Sequence, residues 1–138
     1  MEVTASRETE AGFELEPVTK KLTLDKARMF HGWPRNKNAE CDYAEAHKKG
    51  MPKPFIQANH IYDYIGEQLI KFFGQGYIGG HISVKVIRII WVDDEITVKM
   101  VVREKVIQGD TIRLILGVSC ENKHDEQVIV GTASGLVH

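Results

Sequence analysis

Three polar side chains in the middle of the chain have types and a spacing that suit acid–base chemistry. His60, Asp63 and Glu67 stand at i, i+3 and i+7 inside an otherwise apolar segment. On a helix this spacing puts them on one face, where an imidazole and a carboxylate can act on the same water molecule. The plainer alternative is that they form, with Lys71, the solvated edge of the helix or a polar seam between two subunits.

A second set of candidates lies upstream, in a polar segment that contains Pro34 and several asparagines. Glu40 could act as a general base if burial raised the pKa of its carboxyl group. The alternative is a solvated glutamate beside a helix N-terminus, where the helix dipole stabilises it. Arg35 cannot be a base at neutral pH because its guanidinium group stays protonated, which favours a structural or phosphate-binding role.

Composition limits the class of protein. The 138 residues are 43% apolar and 27% charged, which is typical of one soluble globular domain. A net charge of −1 argues against a nucleic-acid partner or an anionic membrane. The cysteines, Cys41 and Cys120, form no zinc motif, and no ligand spacing links the histidines, so we expect no metal. With no apolar leader or membrane span evident, we expect a cytoplasmic protein.

The first half of the chain predicts short elements before one long helix. Residues 1–12 are polar and are predicted to form a flexible leader to a single domain at 13–138. Phe13–Val18 alternates and suggests an edge strand. Thr23 can cap a helix that extends to Phe30, and Asp42 can begin another that ends before Gly50.

The second half predicts one buried helix followed by a sheet. Residues 59–73 are apolar almost all round, and a glycine-rich bend follows at 74–80. The predicted strands are His81–Val92, Glu95–Val106, Thr111–Glu121 and Gln127–Val137. Their short connections favour an antiparallel meander. The fold class is therefore α+β, with a curved antiparallel sheet around a long helix, the outline of a hot-dog fold.

The order of these elements resembles the MaoC-like dehydratases, a family of (R)-specific enoyl-thioester hydratases. The segments that carry the resemblance are Leu22–Phe30, Asp42–Gly50, Pro54–Ala58 and Val130–Ala133. The resemblance implies a hot-dog fold and a substrate that is a thioester of coenzyme A or of acyl carrier protein. It implies no cofactor.

The resemblance also locates the family's catalytic loop, which reads Gly-Asp-x-Asn-Pro-x-His-x-Asp. Its histidine corresponds to Glu40, and its aspartate to Arg35 or, with a gap, to Trp33. Both catalytic residues are therefore absent. Asn36 or Asn38 stands near the family's asparagine.

The start of the long helix is the other part of the implied site. In the family a glycine there donates its backbone N–H to the thioester oxygen, and Ala58 takes that position here. Its neighbours Gln57, Asn59 and His60 are candidates for substrate binding.

These residues leave more than one function open. The first is a non-catalytic subunit of a heteromeric MaoC-like hydratase, whose partner supplies the aspartate and histidine. The second is an active enzyme, either a hydratase that uses Glu40 or a thioesterase that uses Asp63 or Glu67. A third is a binding module for acyl thioesters. An uncovered sheet edge predicts a homodimer or, preferably, a heteromer joined edge to edge.

Overall fold

The computed structural model describes residues 4–74, 77 and 80–138. The helices are α1 (Leu24–His31), α2 (Tyr43–Lys48) and α3 (Ala58–Phe73). The strands are β1 (Val18–Lys21), β2 (His81–Val86), β3 (Glu95–Gln108), β4 (Thr111–Glu121) and β5 (Gln127–Val137). The predicted α+β class is confirmed.

All five strands pair antiparallel in one sheet of order β1-β3-β4-β5-β2. Strands β3, β4 and β5 form the predicted meander. The prediction is wrong for β2, which pairs with β5 at the far edge instead of forming a hairpin with β3. The cause lies in residues 89–94, which leave β5 and lead from β2 at one edge of the sheet to β3 near the other edge. Ile56 N–H donates to the Ile90 carbonyl over 2.7 Å.

Two strand boundaries also differ from the prediction. The strand predicted for His81–Val92 ends at Val86, and residues 90–92 pair instead with residues 54–56. The strand predicted for Phe13–Val18 is reduced to one bridge between Glu14 and Val101, and β1 begins only at Val18. Pro17 separates the two, since proline has no N–H to donate to a neighbouring strand.

The core lies between α3 and one face of the sheet. Ile61, Ile65 and Leu69 of α3 are completely buried. They are four positions apart and therefore lie on one face of the helix. The sheet contributes alternating positions of β3 and β4. These are Ile96, Val98, Met100, Val102, Ile112, Leu114, Leu116, Val118 and Cys120.

The short helices begin at the predicted caps. Thr23 Oγ1 accepts from Lys26 N–H at 3.2 Å, and Asp42 Oδ2 accepts from Glu45 N–H at 3.2 Å. Of the predicted bend at 74–80, residues 75, 76, 78 and 79 lie outside the described residues. Gly32, whose φ of 75° ends α1, and the cap at Asp42 fix where the loop between α1 and α2 starts and stops.

Residues 4–12, part of the predicted leader, lie against the domain. Ala5 N–H donates to the Phe72 carbonyl at 2.7 Å, which ties the segment to the end of α3. Gly12 N–H donates to the Val102 carbonyl at 2.6 Å. The segment thus contacts both α3 and the sheet. The flexibility of the leader stays a prediction.

Two glycines provide a test of this packing. A side-chain methyl at Gly131 of β5 would meet the backbone of β2 at Ser83 and Val84, whereas one at Gly66 of α3 would meet no atom within 4 Å. We expect Gly131→Ala to lower the free energy of unfolding by roughly 1–3 kcal/mol because the strands cannot separate without losing their pairing. Gly66→Ala should raise it by about 0.5–1 kcal/mol because alanine favours the helix.

The measurement is urea unfolding of both variants beside the wild type. Opposite signs are the expected result. A neutral Gly131→Ala would contradict the close approach of β5 and β2.

Candidate functional site

The N-terminus of α3 is held by two extended segments that run side by side. Ile56 N–H donates to the Ile90 carbonyl, and Val92 N–H donates to the Pro54 carbonyl at 2.9 Å. Gln57 then takes the N-cap position with an extended backbone and no side-chain cap. The first backbone N–H groups of a helix have no partner within it, and the helix dipole makes this end positive. The start of α3 is therefore suited to an oxygen that carries partial negative charge.

The loop between α1 and α2 (residues 32–42) is organised by Asn38. Its Oδ1 accepts from Glu40 N–H at 3.0 Å and lies 3.3 Å from Cys41 Sγ. Its Nδ2 lies 3.5 Å from Nδ1 of His31 at the end of α1. The amide group of Asn38, which was predicted to bind substrate, thus contacts the loop itself and the end of α1.

Glu40 joins this loop to α3. Gln57 Nε2 donates to Glu40 Oε1 at 2.9 Å, so the carboxylate lies beside the N-cap of the helix. The structure therefore brings together three predicted site residues, Glu40, Gln57 and Ala58. It does not bring Arg35 to them by any contact within the described residues, and the Arg35 side chain is exposed.

His60 lies in the first turn of α3, and the structure corrects its expected exposure. Its side chain is 6% exposed, so it does not belong to a solvated edge. The Phe30 ring stacks on the imidazole with centroids 4.9 Å apart and planes 6° apart. Nε2 lies 3.1 Å from the Tyr64 hydroxyl.

The environment of His60 favours its neutral form. Burial lowers the pKa of the imidazole below its ordinary value of 6.5, and the positive charges of His31 and Lys26 lower it further. The carboxylate of Asp63 acts in the opposite direction, but the net effect remains a lowering. Burial and the carboxylate of Asp63 both raise the pKa of Tyr64, so the pair is neutral near pH 7.

The other two carboxylates of the predicted stripe point to solvent. Asp63 is exposed, as is Asn59 beside it. Glu67 forms ion pairs with Lys20 at 3.3 Å and Lys71 at 3.5 Å. Partial burial alone would raise the pKa of Glu67, but the two lysines outweigh it and the pKa lies below its ordinary value. His60 and these two carboxylates therefore do not share one exposed face.

Phe30 and Tyr64 are the neighbours of the site that sequence reasoning did not identify. Tyr64 follows His60 by four residues, and this spacing on a helix was a usable signal for their contact. No comparable signal points to Phe30, because it comes from α1, 30 positions earlier in the chain.

Comparisons with solved structures agree with this architecture. The unliganded R-hydratase PhaJ1 from Pseudomonas aeruginosa superposes with a TM-score of 0.78 at 19% identity, over 94% of this chain and 83% of that one. The MaoC-like dehydratase from Rhodospirillum rubrum gives 0.75 at 16% identity, over 94% and 93%. The ChsH1–ChsH2 complex from Mycobacterium tuberculosis gives 0.75 at 15% identity, over 93% and 96%.

The fold is the hot-dog fold of MaoC-like dehydratases and (R)-hydratases. The resemblance stated from the sequence is thereby confirmed for the fold. No protein-family model and no curated protein matches the chain. Among the described residues, no helix is long and apolar enough to span a membrane.

The burial of His60 predicts a specific pH dependence of stability. Because its pKa is below 6.5 in the folded state, the unfolded chain binds more protons between those two values. The His60 contribution to stability is therefore complete above about pH 7 and is lost as the pH falls toward the folded-state pKa. His60→Gln should make the free energy of unfolding less dependent on pH in this window.

The check is urea unfolding of wild type and variant at about pH 7.5 and about pH 5. His124→Gln is the matched control, since His124 is exposed in the turn between β4 and β5. Equal pH dependence in wild type and His60→Gln would contradict the buried, neutral imidazole.

Proposed function

We propose that this chain is an acyl-thioester-binding subunit of a MaoC-like enoyl-thioester hydratase, and that it lends a wall to the acyl pocket without performing the chemistry. The observation that carries the proposal is the hydrogen bond from Gln57 to Glu40, which closes the loop at 32–42 over the N-terminus of α3. The thioester carbonyl oxygen would bind the backbone N–H groups of Ala58 and Asn59, which have no partner within the helix. The thioester is the substrate, and no resident cofactor is required.

The residues of the loop favour a non-catalytic role. Hydration needs a base that activates water and an acid at the α-carbon. Glu40 stands at the family's histidine position, but its carboxylate is engaged by Gln57. Arg35, at the aspartate position, cannot accept a proton at neutral pH. The acid–base pair would come from a sister subunit with an intact loop.

A heteromeric assembly also agrees with the structural neighbours, since the ChsH1–ChsH2 structure is a complex of two chains. In this chain β2 ends the sheet, and its outer edge has no strand beside it among the described residues. Val86, Ile87 and Ile89, at and beyond the end of β2, are each more than two fifths exposed. Such an edge readily pairs with another strand. We propose a cytoplasmic dimer joined through β2, with a catalytic sister in preference to a second copy.

The alternative is an active enzyme with altered residues. A hydratase would use Glu40 after its release from Gln57. A thioesterase would use Asp63, which is open to solvent, or Glu67, whose two lysine partners keep it ionised. Burial of an acyl chain beside Asp63 or Glu67 is required for the second option, and both face away from the core.

The proposed function makes a prediction about the activity of the isolated chain. It should hydrate crotonyl-coenzyme A at or near the background rate, because each missing proton transfer is worth on the order of 10²–10⁴ in rate. With a sister subunit present, activity should appear, and Glu40→Ala should change it only a few-fold. Enoyl absorbance and thiol release are followed on the same sample.

Three outcomes separate the alternatives. Turnover by the isolated chain that Glu40→Gln abolishes would make Glu40 the base and end the non-catalytic proposal. Release of free thiol that Asp63→Asn or Glu67→Gln stops would establish a thioesterase. Failure to bind any acyl thioester, alone or with a sister, would refute the proposal altogether.

The second prediction concerns the β2 edge. Ser83 is exposed on β2, and Ser83→Lys should convert the dimer to a monomer because lysines on an edge strand oppose pairing. Gln108→Lys, at the exposed end of β3, is a control with the same change in charge. Sedimentation velocity measures both, and a monomeric wild type in the presence of its sister would exclude the assembly.

A further inference from the structure

A surface groove lies apart from the α1–α2 loop, at one end of the sheet. Its volume is about 520 Å³, within the range of small-molecule sites. It is bounded by the turn between β4 and β5, by the crossing segment 88–94 and by the residues that lead to α3. We call it the Trp91 groove, after a lining that includes Lys53, Arg88, Trp91, Asp94, Lys123 and His124.

Among the described residues, one basic side chain of the groove has an ion-pair partner and two do not. Arg88 is paired with Glu126 at 3.6 Å. Among the described residues, no ion pair engages Lys53 or Lys123. These two ammonium groups, with the imidazole of His124, line one cavity and can meet phosphate oxygens there.

Aromatic and acceptor groups line the same cavity. The Trp91 indole is partly exposed in it, and within the described residues no other ring stacks on this indole. Nucleobases stack on such rings with a gain of about 1–3 kcal/mol. Asp94 accepts from Glu95 N–H at 2.8 Å, and Glu126 accepts from Asn122 Nδ2 at 3.1 Å and pairs with Arg88. The remaining lone pairs of these two carboxylates can accept from an exocyclic amino group or a ribose hydroxyl.

The groove is connected to the start of α3 by a short extended segment. Phe55 bridges to Trp91, and residues 54–56 run antiparallel to 90–92 between Lys53 in the groove and Gln57 at the start of α3. Four extended residues span at most about 13–14 Å, which the flexible pantetheine arm of coenzyme A can follow. Binding at both places requires that one ligand reach from the groove to Ala58 along this segment.

We propose that the Trp91 groove binds the adenine and phosphate end of coenzyme A, so that the acyl carrier for this chain is coenzyme A and not a carrier protein. The inference rests on the proposed function, since it names the carrier for that same site. The chemistry that favours it is the coincidence of an indole face, unpaired ammonium groups and carboxylate acceptors in one concave site. A carrier protein presents no nucleobase and would therefore gain nothing from the indole.

The test is isothermal titration of the purified chain with two halves of the ligand. One probe is adenosine 3′,5′-bisphosphate, the nucleotide end alone. The other is butyryl-pantetheine, which carries the thioester and lacks the nucleotide. Lys123→Glu and Trp91→Leu should each weaken nucleotide binding about tenfold or more and leave butyryl-pantetheine unchanged.

Arg103→Glu is the matched control, because Arg103 is exposed near the middle of β3 and does not line the groove. It should alter neither affinity. Circular dichroism and unfolding curves verify that each variant folds. If Trp91→Leu does not fold, Lys123→Glu alone provides the test.

The results distinguish failure of this inference from failure of the proposed function. The inference is overturned if the nucleotide does not bind, or if Lys123→Glu leaves its affinity unchanged. In either case, binding of butyryl-pantetheine still supports the proposed function. Pyrophosphate that binds as well as the nucleotide also overturns it. So does a butyryl carrier protein whose binding Lys123→Glu abolishes while the nucleotide does not bind. Nucleotide binding without any thioester binding retains the groove and refutes the proposed function.

Discussion

The burial of the apolar side of α3 against the sheet is the constraint on which the rest of the structure depends. Ile61, Ile65 and Leu69 lose all their solvent exposure there. A side chain of this type contributes roughly 1.5–3 kcal/mol when it is fully buried. A helix held over two turns in this way cannot slide or rotate without exposing that surface. Its N-terminus is therefore a fixed point, which a site for a polarised carbonyl oxygen requires.

Other contacts then locate the remaining walls of the site relative to this point. The backbone hydrogen bonds between 54–56 and 90–92 fix the approach to α3. They also hold the chain away from β5 after the end of β2. The side-chain bond between Gln57 and Glu40 fixes the loop at 32–42. His60, covered by Phe30, ties α1 to the same turn of α3. One short stretch of chain thus contacts three separate segments, each with its own type of interaction.

The sequence predicts those parts of the fold that depend on local pattern. The bounds of β4 agree because its alternation is continuous between turns, and the start of β5 agrees because a polar turn precedes it. The caps at Thr23 and Asp42 agree because capping is local. The end of β2 could not be predicted, since it depends on residues 54–56. The burial of His60 could not be predicted either, because helical spacing shows a shared face and not what covers it. The proximity of Glu40 and Gln57 followed from resemblance alone.

The position of Glu40 has an electrostatic consequence for the proposed role. A carboxylate beside the N-cap of α3 is stabilised by the same positive end of the helix that a thioester oxygen would use. A neutral carbonyl can still bind there, but the enolate-like oxygen of the hydration transition state would carry charge of the same sign as Glu40. Two like charges at one helix end repel each other, and this repulsion reduces the gain that an oxyanion site supplies. Glu40 therefore favours binding of the neutral thioester over formation of the enolate at this helix end, which agrees with the proposal that the isolated chain does not catalyse hydration.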